Sequence, residues 1–187
     1  MVKIYTRKGD DGSTGLWYGG RVSKASGRPS AYGAVDEAAS ALGLCRAAAA
    51  AEGERELYDD ILRVQNELFV AGAELATAPQ AAERLEAGVS QVTSAMVERL
   101  EADIDRYMER VELPPKFVIP GGNELSARLD LARAALRHAE REVIGLGESG
   151  EEVSDTMLTY LNRASDALYA MARFADEDDP ELFAGRG

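Results

Sequence analysis

Leu57, Ile61, Val64, Leu68, Ala71 and Leu75 recur at alternating steps of four and three. Only a helix with one buried stripe meets its neighbours at that period. The pattern returns along the chain, and five helical segments can be read. The first, about 30–51, carries Val35, Ala39 and Leu42 on one side and ends in an alanine run. The second is about 54–76. The third, about 94–112, repeats the period with Val97, Leu100, Ile104, Tyr107 and Val111 and stops before Pro114-Pro115. The fourth, about 124–146, carries Leu125, Leu129, Ala132, Leu136, Ala139 and Val143. The fifth, about 152–175, carries Met157, Leu161, Ala164, Leu168 and Met171. Near-heptad stripes on successive helices joined by short loops predict an all-α, five-helix bundle packed at about 20°. No β-branched alternation competes, beyond a short extended piece at 3–6. Residues 77–89 read as an exposed loop. There is no repeat and no linker, so 1–187 reads as one domain: an arm over 1–29, a bundle over 30–175, and a frayed acidic tail over 176–187.

Charge narrows the partners. The chain has 21 basic and 33 acidic residues, a net charge of −12. It should repel nucleic acid and anionic membranes at long range, so an anionic ligand must be held by a local basic cluster. The single Cys45 excludes an intrachain disulfide and any cysteine-based zinc or iron–sulfur site. The single His138 excludes His-rich metal sites and the paired Glu-x-x-His arrangement of di-iron bundles. No signal-peptide core and no run of 18 apolar residues is present, and the expectation is a soluble, cytoplasmic protein with no dedicated metal site.

Two polar features are not needed for packing. After Phe117-Val118-Ile119-Pro120-Gly121-Gly122, the fourth helix carries Arg133, Arg137 and Glu140 one residue after members of its apolar stripe. They form a second stripe rotated about 100° from the first. Guanidinium forks there suit bidentate phosphate binding, and the same spacing also suits ion pairing among Asp130, Arg133, Arg137 and Glu140. In the arm, Thr6-Arg7-Lys8-Gly9-Asp10-Asp11-Gly12-Ser13-Thr14-Gly15 and Gly19-Gly20-Arg21-Val22-Ser23-Lys24 mix glycine, hydroxyl and basic residues. Such a mixture lets backbone N–H groups approach an anion. It is neither a Walker A loop nor a dinucleotide fingerprint. A plain surface arm is the competing reading; with the arginine stripe, a polyphosphate site built from loop and helix is the stronger one.

These motifs, with Ala31-Tyr32-Gly33-Ala34-Val35-Asp36-Glu37, Ala132-Arg133, Arg137-His138-Ala139-Glu140-Arg141 and Tyr160-Leu161-Asn162-Arg163-Ala164-Ser165-Asp166, occur in an order that resembles the PduO-type ATP:cob(I)alamin adenosyltransferases over about residues 3–174. The resemblance implies a five-helix bundle assembled as a homotrimer with sites between subunits. It implies transfer of the 5′-deoxyadenosyl group of ATP to cobalt, release of triphosphate, and a requirement for Mg²⁺. It assigns ATP contacts to Thr6, Arg7, Lys8, Gly9, Thr14, Gly15, Lys24, Arg137, His138, Ala139, Glu140, Arg141 and Asn162. Asp36 and Arg133 match the family's inter-subunit acid–base pair, and with Arg137 they form the implied catalytic set. Phe117 matches the residue that packs under the corrin ring; read without the family, it is a core phenylalanine anchoring a loop.

The chemistry agrees with the residues available. Cobalt(I) is itself the nucleophile, so no serine, cysteine or histidine catalyst is required. The protein must grip a polyanionic leaving group, align carbon with cobalt and exclude water. Mg²⁺ would draw on phosphate and water oxygens. Two departures stand out: His138 replaces a customary arginine, and 25–29 lacks the usual acidic run. The competing readings are a non-enzymatic nucleotide-binding bundle, serving as sensor or assembly subunit, and a phosphotransferase. The latter needs a general base aimed at an acceptor hydroxyl, and no candidate stands out. A cobalamin reductase and an adenosylcobalamin-dependent acceptor enzyme are the implied partners.

Overall fold

The computed structural model describes residues 4–176 and 180–185. Five helices form the bundle: α1 (Gly27–Glu52), α2 (Arg55–Ala76), α3 (Ser94–Met108), α4 (Glu124–Glu148) and α5 (Asp155–Ala175). Every stripe residue of α2 and α4 named above is at most 3% exposed, as are Met157, Leu161, Ala164, Leu168 and Met171 of α5. Burying each large member contributes about 1.5–3 kcal/mol, so the stripes outweigh local propensity. The inner face of α1 is mostly alanine (Ala31, Ala34, Ala38 and Ala39 are buried), and small side chains let it lie close along α4.

The helix ends follow local chemistry. Asn123 caps α4 in a reciprocal box, accepting from Ser126 N at 2.8 Å while its own N–H donates to Ser126 Oγ at 3.2 Å. Gly53 closes α1 in the left-handed region at φ 80°. Pro29 is tolerated because the first-turn N–H groups of a helix have no intrahelical partner, so α1 begins at Gly27 rather than at 30. α3 ends at Met108, four residues earlier than the period predicts. Pro114 forbids helix at Leu113, and the chain unwinds ahead of it. α3 packs on α5, and its link to α2 is ionic: Arg106 pairs with Asp60 and Glu56, Asp103 with Arg63, and Arg99 with the buried Glu67.

Four expectations are corrected outside the bundle. The arm forms a hairpin of β1 (Ser13–Gly15) and β2 (Arg21–Ser23), antiparallel with Thr14 opposite Val22; three pairs leave too short a run for strand periodicity to register. The extended piece at 3–6 has no strand over 4–6, and Lys3 lies outside the described residues. Residues 77–89 are not a plain exposed loop. They contain a 3₁₀ segment, Pro79–Arg84, with Thr77, Ala78 and Ala81 buried. Trp17 bridges to Thr77 and ties the arm there, its N–H donating to Ala76 O and its carbonyl accepting from Ala78 N, both at 2.9 Å. The tail is docked where it is described: Ile119 N donates to Glu181 O and Phe183 N to Phe117 O, both at 2.8 Å. Residues 177–179 and 186–187 of that expected acidic tail lie outside the described residues. No helix among the described residues is long and apolar enough to cross a membrane.

Candidate active site

The polar stripe of α4 resolves into different environments. Arg133 lies 3.6 Å from Asp130, so the first part of the predicted intrahelical pairing is present. Glu140 instead accepts from Asn162 Nδ2 at 3.0 Å, which brings α5 to the same face. Arg137 and Arg141 are exposed and make no ion pair among the described residues. His138 is half-exposed and turned toward Glu142, 3.6 Å away. Ala139 is fully buried, so its side chain faces the core and only its backbone lies beside the stripe.

Within the arm, Thr6, Arg7 and Lys8 are exposed, and Thr14 and Gly15 sit in β1. Arg7 has a φ of 62°, a left-handed turn conformation uncommon for a side-chain-bearing residue. Lys24 Nζ donates to Gly9 O at 2.8 Å, and its N–H to Gly12 O at 2.9 Å. The hairpin faces the last turn of α4 across a cavity of about 520 Å³ lined by Arg21, Ser23, Gly27, Leu146, Ser149 and Glu151. No hydrogen bond or ion pair joins 6–15 to Arg137 or Arg141 among the described residues. Among the described residues, loop and arginine stripe are thus joined by no hydrogen bond or ion pair within one chain.

Phe117 is 84% exposed, which overturns its reading as a core anchor. It lines a cavity of about 580 Å³ with Leu113, Pro114, Pro115, Tyr169 and Phe183. The turn behind it is clamped to the end of α5. Asn123 Nδ2 donates to Ala175 O, and Arg173 pairs with Asp130 at 2.5 Å and with Asp176 at 2.7 Å. The guanidinium groups of Arg173 and Arg133 lie 5.1 and 5.9 Å from the Tyr169 ring centroid. One ring therefore touches both the apolar cavity and the arginine stripe. Sequence reasoning missed Tyr169, Phe183 and the Asp130–Arg173 pair. The available signal was Leu182-Phe183 inside an otherwise acidic tail; Tyr169 and Arg173 read as ordinary positions of the fifth helix.

Asp36 is exposed and has no ion-pair partner among the described residues; it does not meet Arg133 within the chain. It lies on a concave apolar face of about 740 Å³ with Trp17, Tyr32, Phe69 and Val89. Phe69 is 66% and Val89 67% exposed there.

The family model described as cobalamin adenosyltransferase matches residues 4–175. The chain belongs to the cobalamin adenosyltransferase family. Among its relatives, the corrinoid adenosyltransferase PduO of Salmonella typhimurium is 43% identical over 177 residues, which are 95% of this chain and 51% of that protein. The chain therefore spans about half the length of that relative. A corrinoid adenosyltransferase of Citrobacter freundii is 40% identical over 184 residues, 98% of this chain and 100% of that one. A solved phenylalanine-to-alanine variant of the PduO-type ATP:corrinoid adenosyltransferase from Lactobacillus reuteri, complexed with cobalamin and ATP, superposes with a TM-score of 0.87 at 32% identity, covering 98% of this chain and 100% of that one. An arginine-to-lysine variant of the same adenosyltransferase, complexed with ATP, gives 0.86 at 31% identity, covering 96% and 99%.

Proposed function

We propose that the protein transfers the 5′-deoxyadenosyl group of ATP to the cobalt of cob(I)alamin, yielding adenosylcobalamin and triphosphate. The observation that carries this reading is the pair Arg137 and Arg141, left without a carboxylate partner among the described residues in a chain where acidic residues outnumber basic ones 33 to 21. Guanidinium groups held open in that background are available to an anionic ligand. The cobalt(I) electron pair forms the Co–C5′ bond as the C5′–O bond breaks, and triphosphate leaves with the bond's electrons. Arg137, Arg141, Arg7, Lys8 and Lys24 stabilise the charge that develops on that leaving group. Thr6, Gly9, Thr14 and Gly15 complete the loop around it. Glu140, steadied by Asn162, is unsuited to phosphate and faces the hydroxyl or amine donors of the nucleoside. His138 and the backbone of Ala139 flank this group. Mg²⁺ enters with ATP as part of the substrate, coordinated largely by phosphate and water oxygens.

Phe117 supplies an apolar plate beneath the corrin, and Tyr169 and Phe183 extend it. An apolar lower face excludes an axial ligand and eases reduction of cobalt(II) to cobalt(I). The loop and the arginine helix belong to neighbouring subunits of a homotrimer, a reading supported by the lack of a hydrogen bond or ion pair between them among the described residues of one chain and by the apolar face around Asp36. Asp36 then reaches Arg133 of the next subunit, and the assembly works in the cytoplasm beside a cobalamin reductase and an adenosylcobalamin-dependent enzyme. The test is incubation with MgATP and chemically reduced cobalamin. Adenosylcobalamin identified by mass is the expected product; its absence with unmodified ATP recovered overturns the reading.

A further inference from the structure

The hairpin arm has an internal brace that the phosphate-contact assignments leave unused. Arg21 stands on β2 opposite Gly15, and its side chain, though exposed, runs back along β1. Its Nε donates to Ser13 Oγ at 2.8 Å and its Nη2 to Ser13 O at 3.0 Å, and Nη2 also donates to Lys8 O. Asp11 lies 3.6 Å from the same nitrogen and accepts from both the N–H (2.9 Å) and the hydroxyl (2.7 Å) of Ser13. Lys24 holds the carbonyls of Gly9 and Gly12 on its side of the loop. The carbonyls of Lys8, Gly9, Gly12 and Ser13 are therefore all engaged by β2 and the residue that follows it.

Carbonyl oxygens repel a phosphate, whereas backbone N–H groups attract one. With four carbonyls turned toward Arg21 and Lys24, the N–H groups of Lys8 and Gly9 are without a partner among the described residues. We propose that Arg21 is a positioning residue for the triphosphate cradle: it shapes the 8–13 loop by binding its carbonyls and does not itself touch the nucleotide. Its planar fork spans three acceptors in fixed directions, which a lysine ammonium cannot do. The Asp11 carboxyl is held below its usual range, first by the Ser13 hydroxyl and N–H and then by the Arg21 charge, so the brace keeps its anion. This inference rests on the adenosyltransferase reading for the identity of the nucleotide.

The experiment compares Arg21→Ala, Arg21→Lys, Ser13→Ala and the Arg21→Ala/Ser13→Ala double variant by steady-state kinetics and by calorimetric ATP titration. Arg21→Ala should raise the KM and Kd for ATP about tenfold or more, the scale of one charge-assisted hydrogen bond. kcat at saturating ATP and KM for cob(I)alamin should stay within about twofold, and Tm should hold, because the arm is outside the core. Arg21→Lys should recover part of the loss. The double variant should be no worse than Arg21→Ala, since Ser13 and Arg21 act through one network. Unchanged ATP affinity in Arg21→Ala, additive losses in the double variant, or equal rises in both KM values with a lowered Tm would each overturn the inference. Wild-type protein that binds ATP without making adenosylcobalamin would refute the reaction and leave the brace to be judged on Kd alone. Wild-type protein that binds no ATP would overturn both.

Discussion

Arg137 is exposed and has no ion-pair partner among the described residues, so removing its side chain breaks no described contact that the fold depends on. Arg137→Ala should keep stability within about 0.5 kcal/mol while ATP binding weakens by about 1.5–3 kcal/mol, the worth of a charge-assisted hydrogen bond. Parallel urea denaturation and ATP calorimetry check it; wild-type affinity in the variant would remove Arg137 from the phosphate grip. Cys45 is the opposite case. It is fully buried, its Sγ 3.4 Å from Ala41 O, and burial pushes its thiol up to about 12 from the usual 9.0. Unfolding returns it to that lower value, so the stability contributed by the neutral buried thiol is full below pH 9.0 and fades as pH rises toward about 12. A thiol-disulfide reagent at pH 8 should label Cys45 only as fast as the protein opens. Immediate stoichiometric labelling of the native chain would contradict the burial.

At the scale of elements, the clamp between α4 and α5 sets the turn that carries Phe117. Asp130 and Arg173 are 5% and 6% exposed, and removing Arg173 leaves the buried Asp130 with only the longer contact to Arg133, 3.6 Å away, and takes from Asp176 its Arg173 partner. Arg173→Met should cost roughly 3–5 kcal/mol, read as a lowered urea midpoint, and hydrogen exchange should rise over 117–123. Stability within 1 kcal/mol of wild type, on the scale of exposed pairs, would show that the pair holds nothing. The sequence's reach is uneven here for physical reasons. The stripe Leu57–Ile61–Val64–Leu68 announces α2 because helical period and burial coincide. Arg137 and Lys24 are visible as candidates because their charge has no packing use. Phe183 is not visible, because two apolar residues in an acidic tail have no period; only pairing with Phe117 reveals their role. The Arg21 brace is hidden likewise, since its acceptors are mostly backbone carbonyls, which every residue has.

For the whole molecule, the proposed site needs more than one chain, because no hydrogen bond or ion pair joins 6–15 to Arg137 among the described residues of a single copy. If the proposed Asp36–Arg133 pair joins subunits, Asp36→Ala or Arg133→Ala should weaken the proposed trimer or its activity, as a partly buried pair loses roughly 3–5 kcal/mol when one partner is removed. Asp36→Arg with Arg133→Asp should partly restore assembly. Light scattering on the single variants and the swap is the check, and stable trimers in both singles would show that this pair does not hold the interface. The chemistry itself makes one sharper demand. Attack by cobalt at C5′ releases the three phosphates as one unit, whereas phosphoryl or nucleotidyl transfer would split them. Phosphorus NMR on the reaction of MgATP with reduced cobalamin, counted against adenosylcobalamin in the same sample, is therefore the most direct test. Intact triphosphate, one per adenosylcobalamin, is the predicted result; ADP, AMP with diphosphate, or phosphate products without adenosylcobalamin would contradict the account.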